Sequence, residues 1–91
     1  MNPTEREQLR LSLLRYLEPA EGQYGLPSGR LLQQSRAEGM PSLDKPSVER
    51  ELEYLADKGL VAEVTKKLSP ENRAWKLTAD GRDFLAQNQA S

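Results

Sequence analysis

The 91-residue sequence contains no cysteine and no histidine. The first absence excludes a disulfide framework, a thiolate zinc site and a cysteine nucleophile. The second removes the commonest metal ligand and the commonest general base. No run approaches the ~18 apolar residues that a membrane span requires, so no membrane partner is expected. An excess of basic charge is missing as well. Thirteen Lys and Arg stand against fourteen Asp and Glu, a net charge of −1, so bulk charge cannot hold a polyanion and any such binding must come from a local patch. The N-terminus Met1-Asn2-Pro3-Thr4-Glu5 lacks the basic and apolar blocks of a signal peptide, which sets a cytoplasmic protein as the expectation. What is present is 36% hydrophobic and 30% charged residues, enough for one compact core. The chain reads as a single domain over residues 1–88 with a frayed end at 89–91.

The first segment reads as a helix opened by a capping box of Thr4 and Glu7. Leu9, Leu13, Tyr16 and Leu17 fall on one face at helical spacing, and Leu11 and Leu14 on the other. Such a helix is either sandwiched inside its own domain or presents its second face to a partner. Pro19 ends it. Leu26-Pro27-Ser28-Gly29 reads as the opening of a short second helix capped by Ser28, carrying Leu31 and Leu32 inward and closing at Gly39. A third helix is predicted from Asp44 or Lys45, with Pro46 in its first turn and Val48, Leu52 and Leu55 as its buried stripe. Gly59 suits a left-handed cap, with Leu60 just beyond it. From Val61 the period changes. Val61–Leu68 and Arg73–Leu77 read as two strands joined by the turn Ser69-Pro70-Glu71-Asn72, and Trp75 and Leu77 alternate with Lys76. A last helix follows Thr78, with Phe84 and Leu85 as its apolar residues.

The resulting class is α+β, mainly α: three helices, a two-stranded hairpin and a short closing helix. The block Ser47-Val48-Glu49-Arg50-Glu51-Leu52-Glu53-Tyr54-Leu55-Ala56-Asp57-Lys58-Gly59-Leu60-Val61, followed by Trp75-Lys76-Leu77-Thr78-Ala79-Asp80-Gly81-Arg82-Asp83-Phe84-Leu85, resembles the winged helix-turn-helix superfamily, with a flavour of small regulators of the PadR and MarR kind. The resemblance covers nearly the whole chain. It implies a DNA-binding transcriptional regulator whose third helix, about residues 45–58, enters the major groove while the 64–77 wing lies on the backbone. One departure is the stretch from Gly39 to Val48, a few residues longer than the tight turn of a minimal helix-turn-helix.

Within that frame Arg50 is the candidate base reader, suited to a guanine edge. Lys45 and Ser47 at the helix start, and Lys66, Lys67, Arg73 and Lys76 in the wing, are candidate DNA contacts. The charges divide. Between Met40 and Gly59 there are three basic residues (Lys45, Arg50, Lys58) and five acidic ones (Asp44, Glu49, Glu51, Glu53, Asp57), whereas Val64–Leu77 sets Lys66, Lys67, Arg73 and Lys76 against Glu71 alone. A few cations per copy bind weakly, so double-stranded DNA as partner favours a homodimer, formed through the first helix and the closing helix. The alternative is a winged-helix module that docks a basic protein on its acidic third helix. An enzyme is not expected, because no phosphate loop, nucleophile elbow or paired-carboxylate motif is present. No cofactor or metal is expected either.

Overall fold

The computed structural model describes residues 2–19, 25–64 and 73–89. Among these, the chain runs α1 (Pro3–Leu17), β1 (Leu26–Pro27), α2 (Ser28–Ala37), α3 (Lys45–Asp57), β2 (Val61–Val64), β3 (Ala74–Leu77) and α4 (Ala79–Gln89). The expected turn at 69–72, Lys66, Lys67 and the last two residues lie outside the described residues.

α1 is capped two residues earlier than Thr4. The Asn2 side chain accepts from the Glu5 amide at 2.8 Å and donates back to the Glu5 carboxylate at 3.0 Å. The reason is Pro3, whose fixed φ suits the first helical position and which has no N–H to satisfy. Leu9, Leu13, Leu14 and Leu17 are all buried, so the second apolar face of α1 is consumed inside the domain at Leu14 and stays half-buried at Leu11.

The α2–α3 connection is long because it carries its own core residue. Leu43 is buried, its amide returns to the Met40 carbonyl at 3.2 Å, and its carbonyl accepts from Arg36 Nε at 2.7 Å. α3 then begins at Lys45 with Asp44 as N-cap and Val48, Leu52 and Leu55 buried. It ends in a Schellman motif. Gly59 takes φ +79°, its amide reaches the Ala56 carbonyl and the Leu60 amide the Leu55 carbonyl.

The sheet has one strand more than the expected hairpin. Its order is β1-β3-β2, all antiparallel. Leu26 and Pro27, read from the sequence as the start of α2, instead pair with Trp75 and Ala74. A two-residue strand containing proline has no detectable period, and proline is tolerated there because the strand is an edge. Ser28 is consequently the first residue of α2 and not its cap. Its buried hydroxyl donates to the Arg73 carbonyl at 3.2 Å and accepts from Trp75 Nε1–H at 2.9 Å. Trp75 is thereby the plug between sheet and helices, with its one polar atom satisfied. Thr78 caps α4 as its position suggests, accepting from the Gly81 amide at 3.0 Å and donating to the Gly59 carbonyl at 2.6 Å.

Candidate nucleic-acid interface

The exposed side of α3 carries Pro46, Arg50, Glu53, Tyr54 and Asp57, the residues that a helical period sets opposite Val48, Leu52 and Leu55. Arg50 is exposed and has no hydrogen bond or ion pair among the described residues. Lys45 is exposed one turn before it. Ser47 is committed to the helix start. Its amide donates to Asp44 Oδ1 at 3.0 Å, and its hydroxyl bond to the same carboxylate is the largest of the effects holding Asp44 below the usual carboxylate range.

The acidic residues of α3 are not equivalent. Glu51 is 4% exposed. It sits three residues after Val48 and four before Leu55, on the buried stripe and away from the exposed face. Arg10 of α1 donates to its Oε1 from Nε at 2.6 Å, and Arg6 Nε stands 4.0 Å from the other oxygen. The Arg10 guanidinium also lies over the Tyr54 ring, 3.8 Å from its centroid. Lys58 approaches the same ring at 5.6 Å. Glu53 is neutralised from the other side. Arg73 donates to it from Nη1 at 2.8 Å and forks onto Glu63 of β2 at 2.9 and 3.0 Å. These bonds hold Glu63 below its ordinary pKa and push Arg73 above its own. Two arginines from outside α3 therefore cancel two of the five acids counted along it.

Of the residues picked from the sequence, the structure brings Lys45, Ser47 and Arg50 together on the first two turns of α3. Arg73, expected on the DNA backbone, has its guanidinium engaged by Glu53 and Glu63. Lys76 is exposed, but strand alternation sets it on the sheet face opposite Trp75 and Leu77, away from the helices. Lys66 and Lys67 lie outside the described residues. The residues missed were Arg10 and Glu51. The position of Glu51 inside the Val48–Leu55 stripe was the signal, because a carboxylate there requires a cation from a neighbouring helix.

A second feature lies behind α3. Leu11, Leu14, Tyr54, Leu60 and Phe84 line a groove of about 590 Å³ between α1, α3 and α4, with Arg10 and Lys58 at its edge. Tyr54 and Phe84 are the large hydrophobic residues that remain exposed among those described. No group of acidic residues there is placed to hold a metal ion, and no described helix is long and apolar enough to cross a membrane.

No protein-family model and no curated protein matches this sequence. Among solved structures, the chain is similar to a PadR family transcription regulator from hypervirulent Clostridium difficile R20291, with a TM-score of 0.68 and 19% identity over 90% of this chain and 83% of that one. The likeness is one of fold, and the architecture of this chain is a winged helix.

Proposed function

We infer that the protein is a DNA-binding transcriptional regulator in which α3 enters the major groove. Arg50 reads a base edge, Lys45 takes a phosphate beside it, and Lys66 and Lys67, from the sequence, extend the contact along the backbone. The observation that carries this reading is the exposed Arg50, without a hydrogen bond or ion pair among the described residues, on a helix whose acids Glu51 and Glu53 are neutralised by Arg10 and Arg73. The shared fold of a solved transcription regulator supports it. The test is selection from random duplexes at low salt, followed by anisotropy titration. Replacing Arg50 by Ala should lower affinity for the selected site by about 1–3 kcal/mol and leave weak non-specific binding intact. No binding at low salt, or equal affinity for the selected site, refutes the reading.

Two copies act together in this reading. The groove behind α3 accepts α4 of a second copy, with Phe84 entering it and Asp80, one turn earlier on the same α4 stripe, meeting Lys58. Sedimentation should give a dimer that Phe84→Asp dissociates, and a monomer at high concentration refutes this part.

The competing reading, a module that docks a basic protein, draws on Glu49, Glu53 and Asp57, which α3 leaves at least partly accessible. Exchanging Glu49 and Asp57, neither of which Arg73 binds, for lysine strengthens DNA binding if the regulator reading holds. It abolishes partner capture if the protein-docking reading does.

A further inference from the structure

Arg73 is the residue at which the wing meets both helices of the helix-turn-helix. Its backbone carbonyl accepts from the amide of Ser28, the first residue of α2, at 2.9 Å and from the Ser28 hydroxyl at 3.2 Å. Its guanidinium binds Glu63 on the neighbouring strand through Nε and Nη2, and Glu53 on α3 through Nη1. The same group lies over the indole of Trp75, 4.8 Å from the ring centroid. Every guanidinium nitrogen is thus engaged inside the protein. Register explains the convergence: Glu63 pairs with Trp75, so Glu63, Trp75 and Arg73 share the sheet face that looks toward the helices.

We propose that Arg73 is a positioning residue, a clamp that fixes the root of the wing against α2 and α3 and cancels the charge of Glu53 on the reading face, and not a ligand of the DNA backbone. A lone exposed ion pair would not do this, because such pairs contribute little. Arg73 differs in having a forked carboxylate contact, a second carboxylate on another element, an aromatic face beneath it and a backbone carbonyl held by α2. A phosphate would have to displace two carboxylates to take the guanidinium. Loss of the guanidinium would loosen the wing root and leave two uncompensated negative charges beside the approaching backbone.

The proposal rests on the DNA reading above, and its test separates the two through a reporter that needs no DNA. Trp75, the single tryptophan, has the guanidinium over its ring, so its emission registers the clamp directly. The variants are Arg73→Lys, Arg73→Glu and the swap Arg73→Glu/Glu63→Arg, each measured by Trp75 emission, by affinity for the selected duplex and by the salt dependence of that affinity. The expected result is that Arg73→Glu changes the emission and weakens binding by about tenfold or more, and that the swap restores both. Arg73→Lys keeps the charge but lacks the fork, so it should weaken binding with the salt slope unchanged. The proposal is overturned if Arg73→Lys binds normally with unaltered emission, or if the swap restores neither property. It is equally overturned if losing the guanidinium lowers the salt slope by about 0.9, the mark of one lost phosphate contact. If the wild type binds no duplex while emission follows the swap, the DNA reading falls and the clamp survives as a purely structural lock. If Arg73→Glu does not fold, the Arg73→Lys outcome decides.

Discussion

Removing Arg10 tests whether α3 is held by a buried charge pair. The Glu51 carboxylate is almost wholly removed from water, and the Arg10 Nε bond of 2.6 Å is its closest cationic contact. Deleting one member of a buried ion pair costs about 3–5 kcal/mol, because the other charge is left uncompensated. Two features reduce that figure here: the Arg10 side chain retains 24% exposure, and Arg6 stands 4.0 Å from the second oxygen. One feature raises it, since stacking on Tyr54 adds about 0.5–1 kcal/mol. The balance for Arg10→Ala is a loss of about 2–3 kcal/mol. With a urea dependence of about 1–3 kcal/mol per molar for a small domain, the unfolding midpoint should fall by roughly 1–2 M. The double variant Arg10→Met/Glu51→Leu removes both charges and keeps the volume, so it should lie within about 1 kcal/mol of the wild type. Equilibrium urea unfolding followed by Trp75 emission and by circular dichroism measures all three. A loss below about 0.5 kcal/mol for Arg10→Ala, or a double variant as unstable as the single, would refute the claim that a desolvated carboxylate needs this arginine.

Gly81 of α4 lies against the backbone of the α3–β2 connection, and a Cβ built on it would fall 2.1 Å from the Leu60 carbonyl oxygen. Gly81→Ala should therefore cost at least about 2 kcal/mol in thermal or urea unfolding despite the better helix propensity of alanine. Ser28→Ala leaves Trp75 Nε1–H buried without its acceptor and should cost about 1–3 kcal/mol, with a shift in Trp75 emission. Tyr16 is pushed up from 10.0 to about 12, first by burial and then by its hydrogen bond with the Glu38 carboxylate. Because the folded pKa lies above the unfolded one, the associated stability is full below pH 10 and is lost as pH rises toward 12. Ultraviolet titration should show a late-ionising phenol that Tyr16→Phe removes, and the same variant should flatten the alkaline fall in stability. Glu63 carries the opposite sign. Its folded pKa is depressed by Arg73, so its contribution is present above the ordinary glutamate range and lost in acid, and Glu63→Gln should flatten that limb of the unfolding curve.

The helices α3 and α4 are legible because period and end signal agree. Val48, Leu52 and Leu55 mark one face of α3, and Gly59 with Leu60 completes a hydrogen-bonded stop whose two cap bonds appear as expected. Thr78 does the same for the start of α4, where it accepts from the Gly81 amide. What failed was local chemistry with two acceptable readings. Thr4-Glu7 and Asn2-Glu5 both satisfy a capping box, and Pro3 decides between them by fitting the first helical position. Ser28 is a good cap by type, yet tertiary structure claims it, because Arg73 and Trp75 arrive from 45 and 47 residues away. Leu26-Pro27 is too short to show a period and becomes a strand only because β3 lies beside it.

The charge of the candidate interface was the hardest quantity to read, for a physical reason. A count along the chain treats every acid between Met40 and Gly59 as belonging to one surface, whereas a helix distributes them around its axis at ~100° per residue. Glu51 is thereby turned inward to Arg10, Asp44 is drawn into the cap of α3, and Glu53 is answered by an arginine twenty residues later. The cations that neutralise α3 come from α1 and from the edge of β3, neither of which a window on α3 includes. An acidic recognition helix is thus no argument against a polyanion until its partners in space are counted. By the same arithmetic a basic wing is weaker than it looks, since Arg73 is committed to carboxylates and Lys76 faces away from the helices. Under the DNA-binding reading the contact falls to Lys45 and Arg50 on α3 and, from the sequence, to Lys66 and Lys67. If a duplex binds, its salt dependence should therefore be shallow for each copy and should steepen with dimerisation.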